Sequence, residues 1–213
     1  MTIRGKVKKI IEILEKKYPD AKTALHYETP FELLVATILS AQCTDKRVNM
    51  VTKELFKNYR TPKDFAEIEI EKLEELIRPT GFFRNKAKNI KKLSIELIEK
   101  YEGEVPLEMD KMVRLPGIGR KTANVVLTNV KKEPGIVVDT HVKRISNRLG
   151  LTKEQDPVKI EFDLQKKIPK DKWIVFSHVI IFHGRNTCKA RKPKCESCEI
   201  KEYCDFYKGN GVF

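Results

Sequence analysis

Lys121 and Asp139 are the residues of this chain best suited to making and breaking bonds. Lys121 follows Leu115-Pro116-Gly117-Ile118-Gly119-Arg120, a segment whose paired glycines permit a tight turn with positive φ and a bare backbone. The spacing predicts a short helix over 107–114, then this turn, then a helix from about Arg120 to Val130. Amides of the turn and of the following helix N-terminus would form a seat for phosphate. The same residues also suit a plain corner between two helices. Lys121 would lie in the first turn of the second helix, where the macrodipole disfavours a cation and Arg120 adds like-charge repulsion. Both effects favour a neutral amine, the nucleophilic form. The alternative is a solvated lysine, the usual fate of lysines in so basic a chain.

Asp139 stands in Val137-Val138-Asp139-Thr140-His141. An apolar run delivers it to the start of a helix carrying Val142, Ile145 and Leu149, so it is an N-cap candidate. A purely structural cap is the ordinary role of such an aspartate. A carboxylate held rigidly near an amine would also help deprotonate it and stabilise positive charge in a transition state.

Cys188, Cys195, Cys198 and Cys204 crowd one C-terminal stretch. Four thiolates at this spacing suit zinc or a [4Fe–4S] cluster. Structural zinc sites more often use two Cys-x2-Cys knuckles, and only one is present, so the spacing leans toward iron–sulfur. Cys43 stands apart and reads as a buried free thiol. Between the first two clustered cysteines lie Lys189, Arg191, Lys192 and Lys194. They are either solvated charge or a clamp on a nucleic-acid backbone. His178 and His183 are five apart, the wrong interval for an i, i+4 metal pair, and read as hydrogen-bonded packing residues. His141 has no assignable role.

The chain that must position these groups has 213 residues and a formal charge of +13. A field of that sign favours polyanions, although a lysine-rich solvated surface would show it too. No apolar run reaches the roughly 18 residues of a membrane span. The N-terminus lacks the continuous apolar core of a secretory signal. Helix signals are dense. Thr29-Pro30-Phe31-Glu32 combines a cap, a proline at the first helical position and a capping-box glutamate. Thr61-Pro62 and Asp156-Pro157 repeat the cap-then-proline start. Ile3, Val7, Ile10, Ile11 and Leu14 form one apolar stripe, and Ala87, Ile90, Leu93, Leu97 and Tyr101 another that stops at Gly103. Two-residue alternation is absent. These patterns predict an all-α chain of about ten helices, with a frayed tail around Gly209-Asn210-Gly211.

LPGIGRKTANVVL followed by VDTHVKRISNRLG, with LLVATILSAQCTDKRVN near the start and HGRNTC before the cysteines, resembles the helix-hairpin-helix DNA glycosylase superfamily, and within it the endonuclease III family. The match runs along nearly the whole chain. It implies two helical lobes flanking a DNA-binding cleft: a six-helix barrel with the hairpin over 23–133, and an iron–sulfur domain built from 1–22 and 134–213. The lysine matching Lys121 attacks deoxyribose C1′ and forms a Schiff base, assisted by the aspartate matching Asp139. Cys188, Cys195, Cys198 and Cys204 would bind a [4Fe–4S] cluster. Gly117, Gly119 and Arg120, and the loop lysines and arginine at 189, 191, 192 and 194, would hold DNA. Gln42 and Phe82 align with gap-filling positions, although a leucine is expected where Phe82 stands. By sequence alone Phe82 suits a core and Gln42 a polar helix end.

The resemblance thus implies a base-excision-repair glycosylase and abasic-site lyase. It would act as a monomer on oxidised pyrimidines in duplex DNA, in the cytoplasm at the nucleoid if the source is prokaryotic. The alternatives are a thymine or uracil mismatch glycosylase, and a non-catalytic helix-hairpin-helix DNA-binding protein.

Overall fold

A computed structural model describes residues 2–209. The tail residues 210–213, where fraying was expected, lie outside the described residues. Twelve α-helices are present among the described residues, and no strand: α1 (Ile3–Lys17), α2 (Pro30–Leu39), α3 (Asp45–Asn58), α4 (Pro62–Glu67), α5 (Ile70–Ile77), α6 (Phe83–Tyr101), α7 (Met109–Met112), α8 (Arg120–Val126), α9 (Thr140–Arg148), α10 (Pro157–Gln165), α11 (Trp173–Asn186) and α12 (Asp205–Lys208). Short 3₁₀ turns supplement them.

The chain divides into two compact units, Ala24–Glu133 and Met1–Thr23 with Pro134–Phe213. Each has its own apolar core. In the first unit, Leu33, Leu34, Leu39, Phe65, Leu73, Ile90, Leu93 and Leu97 are fully buried, and the hairpin residues Leu115 and Ile118 join the same core. In the second, Val7, Ile10 and Leu14 of α1 pack with Ile136, Val142, Ile145, Leu164, Phe176 and Ile180. Ile3, placed in the α1 stripe by its spacing, is instead exposed. It lies in the first turn, before the stripe reaches the core. Each fully buried aliphatic side chain contributes roughly 1.5–3 kcal/mol.

The helix starts follow from local chemistry. Thr29 and Glu32 form a reciprocal capping box, and so do Thr61 and Asp64. Asp156 caps α10 through the amides of Val158 and Lys159. Helix α6 ends where Glu102 and Gly103 turn left-handed, at φ 54° and 82°. The helix expected from Arg120 to Val130 is α8 followed by a π-helical segment, Leu127–Lys131. There the Thr128 hydroxyl donates back to the Asn124 carbonyl at 2.7 Å, a bond that competes with the regular backbone ladder.

Candidate active site and iron–sulfur centre

In the first unit, α7, the turn and α8 form the hairpin. The expected helix over 107–114 is only the four residues of α7. Gly117 takes φ +74°, and a Cβ there would lie 2.9 Å from that of Asn89 on α6. Glycine is therefore required twice over, by conformation and by the close approach of α6. Gly119 differs from expectation. Its φ is −91°, and a Cβ there would meet nothing within 4 Å. The protein's own packing does not demand glycine at this position. No side chain caps the first turn of α8. Arg120 is half-buried and Lys121 exposed in that turn.

Gln42 and Phe82 both turn left-handed, at φ 53° and 49°, an uncommon state for residues with side chains. Gln42 follows the end of α2, and Phe82 directly precedes α6. Both line a pocket of about 240 Å³ that Asn89, Gly117 and Thr122 also line. Phe82 is 63% exposed, which corrects its reading as a core residue. Cys43 is half-buried, not buried, with its thiol toward the Thr44 carbonyl.

In the second unit, Asp139 caps α9. Its Oδ1 accepts from the amides of His141 and Val142, both at 2.8 Å. One oxygen thus takes both capping bonds, and Oδ2 is left for other work. His141 sits against Gly184 of α11, where a Cβ would come within 2.5 Å of its Nδ1. Burial is the largest influence on this imidazole and holds it below the usual histidine range. Arg144 and Arg185 add to that, against Asp139. Near neutral pH the ring is therefore a neutral packing element beside the aspartate.

The four clustered cysteines line one pocket, together with Ile145, Leu149, His183, Ile200 and Phe206. Arg148 organises this segment. It donates to Cys188 Sγ at 3.3 Å, to the Lys189 carbonyl at 2.8 Å and to the Ala190 carbonyl at 3.0 Å. Its guanidinium also lies over the Phe206 ring, 4.7 Å from the centroid. Arg144, one turn earlier, donates to the Cys188 carbonyl at 2.9 Å. His183 is almost fully buried, and its Nε2 lies 3.7 Å from Cys198 Sγ. It is thus a buried packing residue with a hydrogen bond through Nε2, as its spacing suggested, while Nδ1 has no hydrogen-bond partner. Burial lowers its pKa to about 4, with Lys17 adding to the effect. None of Arg144, Arg148 and His183 was singled out from sequence as serving the cysteines. The i, i+4 spacing of the two arginines on α9 was the one available signal.

These surroundings fit an iron–sulfur cluster. Burial pushes the Cys198 thiol up to about 11 and raises Cys204 and Cys195 as well. Thiolates in such an apolar pocket need a cationic partner, which ligated iron supplies. Four cysteines lining one pocket supply the donor set of a [4Fe–4S] cluster. Lys189, Arg191, Lys192 and Lys194 are exposed on the loop between the first two cysteines, and Lys192 is left-handed at φ 49°.

An all-α chain with a glycine hairpin and a four-cysteine segment defines a class, and the comparisons agree on it. Residues 35–170 match the HhH-GPD superfamily of base excision DNA repair proteins. Residues 188–204 match the iron-sulfur binding domain of endonuclease III. Endonuclease III of Synechocystis sp. is 54% identical over 196 residues, 92% of this chain and 90% of that one. A non-covalent endonuclease III–DNA complex superposes with a TM-score of 0.93 at 47% identity, covering 98% of both chains. A trapped endonuclease III–DNA covalent intermediate, an estranged-adenine complex, has the same score and identity over 98% of this chain and 99% of that one. The chain belongs to the endonuclease III family. It is a base-excision DNA glycosylase and abasic-site lyase with a [4Fe–4S] cluster.

Purified protein is expected to be brown and to contain about four irons per chain. Elemental analysis checks this, and a colourless protein with one zinc would contradict it. Cys198→Ser is expected to lower both iron content and the melting temperature, because Cys198 packs against the second core.

Proposed function

We propose that the enzyme removes oxidised pyrimidines from duplex DNA and then cleaves the strand, with Lys121 as nucleophile and Asp139 as its base. It acts as a monomer in the cytoplasm. The observation that carries the chemistry is the placement of Lys121. Its amine is exposed in the first turn of α8, directly after a glycine turn. Among the described residues no ion pair or hydrogen bond ties it down. The likeness to a trapped covalent endonuclease III–DNA intermediate supports an enzyme that bonds to its substrate.

Asp139 serves as the base that takes a proton from the Lys121 ammonium. The Lys121 Nζ bonds to C1′ as the C1′–N bond to the damaged base breaks, and the base leaves with the proton that Asp139 took up. A proton then passes from Nζ to O4′ as the sugar ring opens, leaving a protonated imine between Nζ and C1′. Loss of a proton from C2′ then expels the 3′ phosphate by β-elimination, and water releases the enzyme. Asp139 also faces positive charge developing on the sugar, which a carboxylate stabilises.

The remaining residues hold DNA. Gly119 leaves its backbone bare where the protein has no need of glycine, which suits approach of a phosphate to the first-turn amides of α8. Gly117 shapes the turn, and Arg120 adds charge. Lys189, Arg191, Lys192 and Lys194 contact phosphates from the cysteine loop, whose backbone Arg148 holds at two carbonyls. The cluster shapes that loop and takes no part in the bond changes. Gln42 and Phe82 fill the gap left by the extruded nucleotide. Their left-handed backbones and the exposure of Phe82 support this reading.

The substrate is set by the cost of extrusion. A saturated pyrimidine has lost planarity and stacks poorly, so turning it out of the helix costs less than for an intact base. Single-turnover assays on duplexes that differ only in the lesion test this. Thymine glycol and abasic sites are expected to be cleaved, and undamaged thymine and adenine opposite 8-oxoguanine to be spared. Faster release of thymine or uracil opposite guanine would favour a mismatch glycosylase.

A further inference from the structure

Lys86 is a buried cation that the chemistry above does not use. Only 4% of it is exposed, although lysine is among the residues least often buried. Its Nζ donates to the Leu39 carbonyl and to the Thr80 carbonyl, each at 2.8 Å. Leu39 is the last residue of α2, and Thr80 the last of the 3₁₀ turn Arg78–Thr80. Carbonyls at such ends lack the next backbone donor, and the negative end of the helix dipole favours a cation there. Burial pulls this ammonium below the usual lysine range, with Cys43 acting against it. One side chain on α6 therefore ties together two chain ends that are distant in sequence.

Each of those ends leads into a residue of the pocket. Gln42 comes three residues after Leu39, and Phe82 two after Thr80. Both are left-handed, a conformation that costs about 1–3 kcal/mol without glycine and persists only where the surroundings enforce it. Both line the same pocket as Lys86. We infer that Lys86 is a positioning residue for extrusion of the damaged nucleotide, fixing the backbones that present Gln42 and Phe82 to DNA through its bonds to Leu39 and Thr80. The inference rests on the gap-filling reading of those two residues.

A double-mutant cycle on the full-length holoenzyme tests it, with single-turnover release of thymine glycol from duplex DNA as the readout. Phe82→Ala and Gln42→Ala are expected to slow release. Lys86→Met is expected to slow it toward the roughly 10²-fold that a misplacement of about 1 Å can cost. The combination of Lys86→Met with Phe82→Ala is expected to be no slower than the slower single variant, because both remove the same wedge. Lys86→Arg keeps both donors, has room in the adjoining pocket, and is expected to restore the rate. Lys86→Gln runs in parallel as a milder change. Independent, multiplying effects of Lys86→Met and Phe82→Ala would overturn the inference and leave Lys86 a plain core residue. So would Met and Gln variants that both fail to fold. Wild-type rates for Phe82→Ala and Gln42→Ala would sink the gap-filling reading itself, a result distinguishable from the other two.

Discussion

Lys121→Gln is expected to abolish cleavage at abasic sites while the protein still folds and binds DNA. Lys121 is exposed. Substitution at such a surface position changes stability by about 0.5 kcal/mol or less. Glutamine is one atom shorter and stays polar, but it has no basic lone pair to attack C1′. Without the imine there is no electron sink for removal of the C2′ proton, so β-elimination stops as well. The loss of rate is expected to exceed the roughly 10²–10⁴ of a missing general base. Gel-shift affinity for an abasic duplex, measured beside strand cleavage, separates lost chemistry from lost binding. Cleavage at the wild-type rate by the glutamine variant would remove Lys121 from the nucleophile's role.

Asp139→Asn is expected to slow base release by roughly 10²–10⁴ with the fold intact. On this proposal the cap and the chemistry are separable. The cap uses a single oxygen, Oδ1, for both the His141 and Val142 amides. Asparagine retains an equivalent carbonyl oxygen and is an equally good N-cap, so α9 keeps its start. It lacks the charge that, in the proposed chemistry, would accept the lysine proton and steady the cationic sugar. Asp139→Ala removes both roles and is expected to cost about 1 kcal/mol of stability in addition. Thermal melts and single-turnover rates on the pair distinguish them. Asparagine should melt like wild type but react slowly, whereas alanine should fall short on both counts. An asparagine variant of full activity would leave Asp139 a structural cap alone.

The parts of this molecule governed by local chemistry were legible in its sequence. Thr29 with Glu32, and Asp139 before Val142 and Ile145, announce helix starts because a side chain within three residues satisfies the first amides. The buried stripes of α1 and α6 come from a 3.6-residue period. The cysteine spacing announced a centre because the ligands lie close along the chain. Features set by tertiary packing were not legible. Two glycines look alike in Gly117-Ile118-Gly119, yet only the first has a positive φ, and only there does α6 bring Asn89 close. Phe82 reads as a core residue by type, and is exposed because Gly81 and the start of α6 place it at a chain reversal. Arg148 and Lys86 look like two more charges in a basic chain. Their partners, at Cys188 and at Leu39, are distant in sequence, and only the fold brings them into contact.

The proposed chemistry runs through a covalent imine on one particular lysine. The most direct test is borohydride reduction of the wild-type holoenzyme during reaction with an abasic duplex, followed by proteolysis and mass spectrometry of the trapped adduct. The expected result is a stable one-to-one protein–DNA adduct with the sugar remnant on the peptide containing Lys121. Absence of any adduct while the strand is still being cut, or an adduct mapped to another amine, would contradict it.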